Sequence, residues 1–368
     1  MARQATLRVE RGERARLTAY LHAIGTAVPD HDVHAAFIAW ARAQVEPRSA
    51  KLFNRMAARA GIVHRWSVLP AVPGGGSPVE AGGFYGGDPH PGTGERMRVY
   101  AEAAPALALD AIARLGEQVR LDDLTHLVVA SCTGFVAPGV DQIIAARLGL
   151  SPTIERLLVG FMGCYAAVAA LRSARHIVRS DPGARVLVVT VELSTLHLQR
   201  ETAIEPLLAM LQFGDGAAAA LVTAEPGGFR LDQPFAAALP DSAELIRWDI
   251  TDSGFAMHLS GEVPGRIAGA LADQAVAHAV TGGNAGSVDG WAVHAGGRSI
   301  LDAVGHALDL PADALAPSRA VLADYGNMSS ATLMFVLQRL LAGPPVTRGV
   351  ALAFGPGLAA EGFGFASA

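Results

Sequence analysis

The 368 residues, of which 51% are hydrophobic, are enough to bury a large core in two domains or in one duplicated unit. The 29 basic and 34 acidic side chains give a formal charge of -5, which excludes the sequence-wide positive field typical of nucleic-acid-binding proteins. Two cysteines cannot form a disulfide framework, and no Cys-x-x-Cys or His-Glu-x-x-His pattern predicts a metal site. A reducing cytoplasm is the expected location.

The N-terminal apolar run at 17–28 follows several arginines, as in a signal peptide. Polar residues and a glycine interrupt this run, so we predict a first strand there instead. A second apolar run, from Leu157 to Leu171, is shorter than the ~20 residues that a membrane-spanning helix needs. It predicts a buried core segment and no membrane insertion.

Further along the chain, short β-rich runs alternate with stretches rich in alanine and leucine, which predicts an α/β fold. Polar residues do not alternate within the strands, as is typical of central strands covered on both faces. Strands are predicted over 126–131, 185–191, 217–223, 290–294 and 349–354. Helices are predicted over 102–115, 164–178, 263–280 and 329–341.

The segment 71–94 contains nine glycines and four prolines, so it predicts neither a helix nor a strand. A mobile surface insertion and a lid over a substrate entrance both fit this composition. Outside the segment, each half of the chain carries an apolar strand, a glycine-rich turn and a long helix of small residues. This weak symmetry predicts a duplicated unit, with residues 1–224 as the first half and 225–368 as the second.

Three turns at the ends of apolar runs carry reactive side chains. Cys164 follows Gly163 at the start of a predicted helix, His294 ends a strand before Ala-Gly-Gly, and Asn327 lies in a tight turn. Taken singly, Cys164 is explained as a packed thiol, His294 as a core histidine and Asn327 as a helix cap. Three such turns together favour one site at the seam between the halves.

A thiol, an imidazole and a carboxamide suit acyl transfer followed by decarboxylation. An imidazolium beside the sulfur would favour the thiolate, which attacks a thioester and holds the acyl group. Imidazole and carboxamide can then donate hydrogen bonds to the enolate oxygen formed as carbon dioxide leaves a malonyl thioester. A cysteine peptidase uses the same three groups, but it does not account for the turn around Asn327 or for the segment 353–358.

Five segments resemble the type III polyketide synthases, the chalcone and stilbene synthase family, in order and spacing. They are GFMGCYAA (160–167), FGDGAAAALV (213–222), HAGG (294–297), YGNMSSA (325–331) and AFGPGL (353–358). The resemblance runs from about Leu17 to the C-terminus. It implies an α/β thiolase fold with a duplicated five-layered αβαβα core, a homodimer, and Cys164, His294 and Asn327 as the catalytic triad.

The resemblance also implies the substrates, which are an acyl-CoA starter and malonyl-CoA, with no cofactor besides these coenzyme A thioesters. Phe213 matches the family's gatekeeper between the coenzyme A tunnel and the cavity. Arg55 and Arg59 match two of the family's phosphate-binding positions, while Leu52 takes the third, with Lys51 beside it. Arginine is well suited to bind phosphate.

Departures from the plant members bear on the substrate. Cys132 replaces a wall threonine, Ala137 replaces a methionine that reaches across the dimer interface, and His197 replaces a threonine. The resemblance gives the cavity wall as Cys132, Thr133, Ser194, His197, Gly254 and Ser329. These departures indicate a bacterial type of enzyme.

Three product classes remain open: alkylresorcinols or alkylpyrones from fatty acyl starters, tetrahydroxynaphthalene, and phloroglucinol derivatives. The small residues Ala137, Ala209 and Gly254 favour a medium or long acyl starter. A β-ketoacyl-carrier-protein synthase of the third type is the alternative enzyme, and a degenerate thiolase-fold scaffold is the alternative without activity.

Overall fold

The computed structural model describes residues 18–72 and 76–368. The strands of the described residues are Ala19–Ala27 (β1), His31–Asp32 (β2), Trp66–Ser67 (β3), His126–Ser131 (β4), Glu155–Gly160 (β5), Val186–Leu193 (β6), Asp215–Thr223 (β7), Phe229–Ala238 (β8), Ile246–Thr251 (β9), Gly254–Leu259 (β10), Gly290–Val293 (β11), Gly349–Gly355 (β12) and Ala359–Ser367 (β13). The helices are His34–Gln44 (α1), Ala50–Arg59 (α2), Thr93–Gly116 (α3), Val140–Arg147 (α4), Ala166–Ser180 (α5), Ile204–Met210 (α6), Val263–Ala272 (α7), Gln274–Thr281 (α8), Arg298–Ala307 (α9), Ala316–Tyr325 (α10) and Ser330–Leu341 (α11).

Nine strands of the described chain form one sheet in the order β11-β12-β13-β8-β1-β7-β6-β4-β5. In the first half, β4 and β6 are parallel, and β7 and β1 follow antiparallel. In the second half, β11 and β12 are parallel, and β13 and β8 follow antiparallel. The four strands of one half therefore correspond in order and direction to four of the other, as a duplicated unit would give. Pairing of β1 with β8 joins the halves.

Helices α5 and α11 lie between the two halves. Helix α5 contacts β4, β6 and β13, and α11 contacts β1, β7, β11 and β12. Close approach is possible because the facing strands carry small side chains, including the four buried alanines at 217–220 of β7. Helix α3 covers β1, β6 and β7, and α10 packs on β11. The resulting order of layers is the predicted αβαβα thiolase fold.

The predicted strands over 126–131 and 349–354 are confirmed to within a residue, and the strand predicted over 217–223 begins two residues earlier, at Asp215. The predicted helix over 263–280 is wrong in one respect, because Asp273 divides it into α7 and α8. The Asp273 carboxylate accepts hydrogen bonds from the backbone N–H of Ala275 and Val276, a capping role that aspartate fulfils better than an interior one. Leu17 of the predicted first strand lies outside the described residues.

Residues 76–92 form no helix or laddered strand, as their composition predicts. They are nevertheless packed against the body of the protein. Tyr85 is only 4% exposed, and its hydroxyl donates to the Thr195 carbonyl over 2.8 Å. This part of the segment is therefore not a free surface insertion.

None of the helices in the described ranges is both long and apolar enough to cross a bilayer.

Candidate active site

Cys164 lies in a 3-10 turn, Gly163–Tyr165, that leads directly into α5. Gly163 has a φ of +74°, and a Cβ on it would come within 2.4 Å of Pro356, so only glycine fits this turn. The thiol is buried in a small cavity of about 20 Å³ at the seam of the two halves. The cavity is lined by Cys132, Thr133, Phe161, Gly163, Cys164, Ser194, Phe213, Trp248, Met257, Ser329 and Pro356.

Asn327 is fixed beside this cavity by its backbone and its side chain. Its N–H donates to the Gln212 carbonyl over 2.7 Å, and its own carbonyl accepts from Gly214 over 3.0 Å. The side-chain Nδ2 donates to the Gly296 carbonyl over 3.2 Å, and Oδ1 accepts from the Ser329 N–H over 2.8 Å. Phe213 is thereby held next to Asn327, and its ring lines the small cavity.

His294 follows β11 and is 1% exposed. Its N–H donates to the Leu352 carbonyl over 2.8 Å, and its ring Nε2 donates to the Ser329 carbonyl over 3.1 Å. Ser329 has a φ of +47°, which is unusual for a residue with a side chain. This backbone turns its carbonyl to His294 and its N–H to Asn327, so Ser329 links the two predicted triad members.

Burial determines the protonation of the sulfur and the imidazole. It raises the pKa of Cys164 to about 12, against the opposing effects of hydrogen bonds from Ser329 and Asn327. Burial also lowers the pKa of His294 to about 4. Both groups are therefore neutral near pH 7 in the free protein. Burial therefore opposes both the thiolate and the imidazolium that acyl transfer would use.

Glu192, at the end of β6, is a site residue that the sequence reasoning missed. Its carboxyl is fully buried and accepts from the Cys132 N–H over 2.9 Å, from the Thr133 hydroxyl over 3.0 Å, and from the Ser330 hydroxyl. Burial raises its pKa to about 7, and its charge raises the pKa of Cys164. A single acidic residue within the apolar run RVLVVTVEL was the signal that could have identified it.

Replacing Glu192 with glutamine should increase the alkylation rate of Cys164 by iodoacetamide at pH 8 to 9, by roughly three- to tenfold. Above about pH 7 the wild-type carboxyl is ionised and disfavours the thiolate, whereas below about pH 6 it is protonated and the two proteins should react alike. Peptide mass spectrometry separates Cys164 from Cys132. The exposed Glu117→Gln variant is the control, and equal rates at every pH would contradict the assigned effect.

Three further predicted wall residues line the small cavity and have distinct surroundings. Cys132 lines the small cavity, and its sulfur accepts from the Gly163 N–H over 2.9 Å. The Thr133 hydroxyl donates a hydrogen bond to the Glu192 carboxyl and accepts one from the Leu193 N–H. The Ser194 hydroxyl is buried without a hydrogen-bond partner.

His197 is held in one orientation and one protonation state. Its Nε2 donates to the Thr133 carbonyl over 2.7 Å, and Nδ1 accepts from the Phe255 N–H over 3.0 Å. The ring stacks on that of Phe255 at 4.1 Å, and burial lowers its pKa to about 3. His197 is therefore a neutral wall residue rather than a proton carrier.

A larger cavity of about 300 Å³ adjoins the small one, and four residues line both: Ser194, Phe213, Trp248 and Met257. The lining of this cavity also includes Arg65, Phe37 and part of the glycine- and proline-rich segment, namely Ser77, Pro78, Val79 and Tyr85. The four shared residues form a neck between the two cavities. Phe213 at this neck occupies the position predicted for a gatekeeper.

The structure does not place every predicted residue at the cavities. Gly254 packs against the guanidinium of Arg96, where a Cβ would come within 2.5 Å, and Phe255 beside it lines the larger cavity instead. Ala137 lies on an exposed loop. Among the described residues, neither cavity is lined by Ala137, Ala209 or Gly254. These three small residues therefore do not support the predicted starter length.

The predicted coenzyme A residues Lys51, Arg55 and Arg59 recur every four residues along one exposed face of α2. Arg59 lines an open surface pocket together with Gln212 and Arg298. Gln212 accepts the Asn327 N–H, so this pocket lies directly behind the candidate site. Sequence reasoning missed Arg298, although it follows the HAGG segment immediately. In the described ranges, no group of three or more histidine, cysteine or acidic side chains could hold a metal.

Residues 7–226 match the family model described as "Chalcone and stilbene synthases, N-terminal domain", and residues 231–368 match the corresponding C-terminal domain. The chain is 36% identical over 285 residues to "Alpha-pyrone synthesis polyketide synthase-like Pks18" of Mycobacterium tuberculosis, covering 74% of this chain and 72% of that protein.

Two solved structures are similar over nearly their whole length. PKS-I from the brown alga Ectocarpus siliculosus aligns with a TM-score of 0.85 and 28% identity, covering 95% of this chain and 98% of that one. The 1,3,6,8-tetrahydroxynaphthalene synthase of Streptomyces coelicolor A3(2) aligns with a TM-score of 0.84 and 29% identity, covering 94% and 99%. The chain therefore belongs to the chalcone and stilbene synthase family and is a type III polyketide synthase, an acyltransferase that joins acyl-CoA and malonyl-CoA units by decarboxylative Claisen condensation.

Proposed function

We propose that Cys164 is the nucleophile, and that His294 and Asn327 stabilise the oxyanions formed during condensation. The observation that carries this proposal is the hydrogen-bond network at the seam. Ser329 lines the small cavity together with Cys164, its carbonyl accepts from His294, and its N–H donates to Asn327. One bound thioester could therefore reach all three groups.

Loading begins from a neutral thiol and a neutral imidazole. As the Cys164 sulfur attacks the starter thioester carbonyl, its proton passes to His294, which must then present an unprotonated Nε2. The carbon–sulfur bond to Cys164 forms, the bond to coenzyme A breaks, and the imidazolium returns its proton to the leaving thiolate. Neutral groups avoid the cost of holding two charges in this buried cavity before substrate arrives.

Extension uses the other tautomer of His294, which carries the proton on Nε2. The carbon–carbon bond of malonyl-CoA breaks, carbon dioxide leaves, and the enolate oxygen accepts hydrogen bonds from His294 Nε2 and Asn327 Nδ2. The enolate carbon then attacks the acyl group on Cys164, which releases the sulfur and leaves a β-ketoacyl-CoA. Both donors satisfy backbone carbonyls in the free protein, so they are already oriented for this role.

We further propose that Arg59 and Arg298 bind coenzyme A phosphates at the surface pocket, with Arg55 and Lys51 along the same face. Replacing Arg59 with alanine should raise KM for malonyl-CoA roughly three- to tenfold with little change in kcat, because an exposed ionic contact is partly screened by water. Steady-state kinetics at low and high salt measure this effect. Arg114→Ala, an exposed change on α3, is the matched control, and equal KM values in the two variants would contradict the assignment.

For the product, we propose an α-pyrone or resorcinol bearing the starter's acyl chain. The similarity to Pks18 supports a pyrone, and the larger cavity offers room for an acyl chain beyond the neck. Incubation with malonyl-CoA alone, and then with acyl-CoAs of increasing length, tests this by mass spectrometry of the products. A tetrahydroxynaphthalene product from malonyl-CoA alone would overturn it.

We propose that the protein works as a homodimer through the apolar patch Phe135, Leu157, Leu158 and Phe161, whose side chains are 37% to 48% exposed. The patch surrounds the edge strand β5, and unpaired edge strands are prone to association. Ala137 lies on the same loop as Phe135, and Phe161 also lines the Cys164 cavity. A partner here would therefore approach the active site.

Leu158→Glu should shift the protein from twice the 38.0 kDa chain mass to a single chain, because burying a carboxylate in an apolar interface is costly. Light scattering after size-exclusion chromatography measures the mass. Ile250→Glu, at an apolar residue on β9 that is somewhat more exposed than Leu158, is the control and should leave the mass unchanged. A Leu158→Glu protein that keeps the doubled mass would exclude this patch as the interface.

The proposed reaction uses no resident cofactor, because the substrates carry their own activated thioesters. It also needs a reduced Cys164, and both cysteines are free thiols. A cytoplasmic location meets that need.

A further inference from the structure

Buried polar atoms without hydrogen-bond partners are concentrated on the wall of the larger cavity. Seven such side-chain atoms occur among the described residues, and three belong to residues that line this cavity: Arg65 Nη2, Ser194 Oγ and Trp248 Nε1. A buried donor without a partner destabilises the fold, so three around one cavity need a functional explanation.

Arg65 is held rigidly at the neck. Its Nε donates to His34, and Nη1 donates to the Phe213 carbonyl over 2.7 Å and to the Met210 carbonyl over 3.2 Å. The guanidinium also lies 4.6 Å from the ring centre of Phe37. These contacts account for every donor except Nη2, and the side chain is 3% exposed. Burial lowers its pKa only to about 9, so it remains a cation at neutral pH.

Ser194 and Trp248 line both cavities, so they stand where a chain attached to Cys164 would pass from one to the other. The Trp248 ring packs edge-on against His197 and Phe213, which orients the indole without using its N–H. His197 offers no free donor, because both ring nitrogens are occupied. The free donors at the neck are thus two neutral groups and one cation.

We propose that Arg65, Trp248 and Ser194 form an oxygen-binding collar that recognises acceptor oxygens on the chain beyond its thioester carbon. This proposal rests on Cys164 being the acylated residue. A saturated alkyl starter has no oxygen beyond its thioester that could accept a hydrogen bond from the collar, whereas one round of extension adds a ketone at the third carbon. The collar therefore distinguishes an extended chain from a newly loaded starter, and it holds the extended chain in position for the next condensation.

The test compares two thioesters of equal length, hexanoyl-CoA and 3-oxohexanoyl-CoA, which differ by one ketone. Acylation of Cys164 is followed by intact-protein mass spectrometry in the wild type, Trp248→Phe and Ser194→Ala. Each variant removes a donor that has no protein partner and keeps the surrounding packing. Arg65→Lys is the third variant, but it also breaks the contacts to Phe213 and Met210, so the first two carry the test.

We expect Trp248→Phe and Ser194→Ala each to lower the ratio of the acylation rate with 3-oxohexanoyl-CoA to that with hexanoyl-CoA by roughly three- to tenfold, the effect of one neutral hydrogen bond. Equal losses with both thioesters, or no loss with either, would overturn the collar while leaving Cys164 as the nucleophile. Failure of the wild type to acylate Cys164 with any thioester would overturn both proposals.

A third thioester, adipoyl-CoA, separates the two possible sources of the acceptor oxygen. It carries a carboxylate at the far end of a six-carbon chain and no ketone. A loss confined to 3-oxohexanoyl-CoA supports recognition of the ketone. A loss confined to adipoyl-CoA would show instead that the collar binds a carboxylate at the end of the starter, and would overturn the role in recognising extended chains.

Discussion

Replacing Asn327 with alanine should lower the rate of malonyl-CoA decarboxylation by about 10²–10³-fold, the usual effect of removing one oxyanion donor from a buried site. Starter loading on Cys164 should fall far less, because the attack on the starter depends on the sulfur and on His294. Conversion of malonyl-CoA to acetyl-CoA, followed by liquid chromatography and mass spectrometry, measures the first step, and the mass of the acyl-enzyme measures the second.

Asn327 also has a structural role, since its side-chain amide donates a hydrogen bond to the Gly296 carbonyl and accepts one from the Ser329 N–H. Asn327→Asp is therefore the matched variant, because it keeps an acceptor for Ser329 and loses the NH2 donor. Both variants should lose decarboxylation while melting cooperatively. Wild-type decarboxylation by a folded Asn327→Asp protein would show that the carboxamide is not an oxyanion donor.

Replacing Cys164 with alanine should abolish acyl-enzyme formation and chain extension altogether, because the other thiol of the small cavity, Cys132, is engaged by the Gly163 N–H and is hard to ionise. Some malonyl-CoA decarboxylation should remain, since His294 and Asn327 do not need the sulfur to bind an enolate oxygen. Intact-protein mass spectrometry with an acyl-CoA, and product analysis with added malonyl-CoA, measure the two activities separately.

Cys132→Ala is the control for this experiment. Its sulfur lines the same cavity but accepts a hydrogen bond from Gly163, and burial with the nearby Glu192 raises its pKa well above the ordinary value. The variant should still form the acyl-enzyme. An acyl group on Cys132 in the Cys164→Ala protein would mean that the cavity, rather than one particular thiol, determines where the chain is attached.

The strands and the central helices could be predicted because burial on both faces produces unbroken apolar runs, which sequence displays directly. The break at Asp273 was missed because the residues on both sides of it favour a helix. Whether this aspartate lies inside a helix or caps the start of one depends on the hydrogen bonds that its side chain accepts. The position of Gly254 was also missed. A small residue allows close approach by any neighbour, and here the neighbour is Arg96 rather than a substrate.

The site was predictable as a set of side chains but not as a set of charges. Glycine-containing turns indicated Cys164, His294 and Asn327, although the turn of Asn327 follows helix α10 rather than a strand. The structure brings the surroundings of the three residues together around Ser329. The neutral state of the thiol and the imidazole depends on how completely each is removed from water, which is a property of the packed molecule. Arg65 was missed for the same reason, because sequence does not show which donors lack a partner.

The correspondence of β4 with β11 places Cys132 in the first half where His294 stands in the second, since each directly follows its strand. Helices α5 and α11 likewise begin beside Cys164 and Asn327, one from each half. Each half of the described chain thus supplies only part of the proposed site, Cys164 coming from the first half and His294 and Asn327 from the second. Cleavage of the backbone within residues 224–228, between β7 and β8, should therefore give two inactive fragments. Reassociation of the two fragments should restore activity.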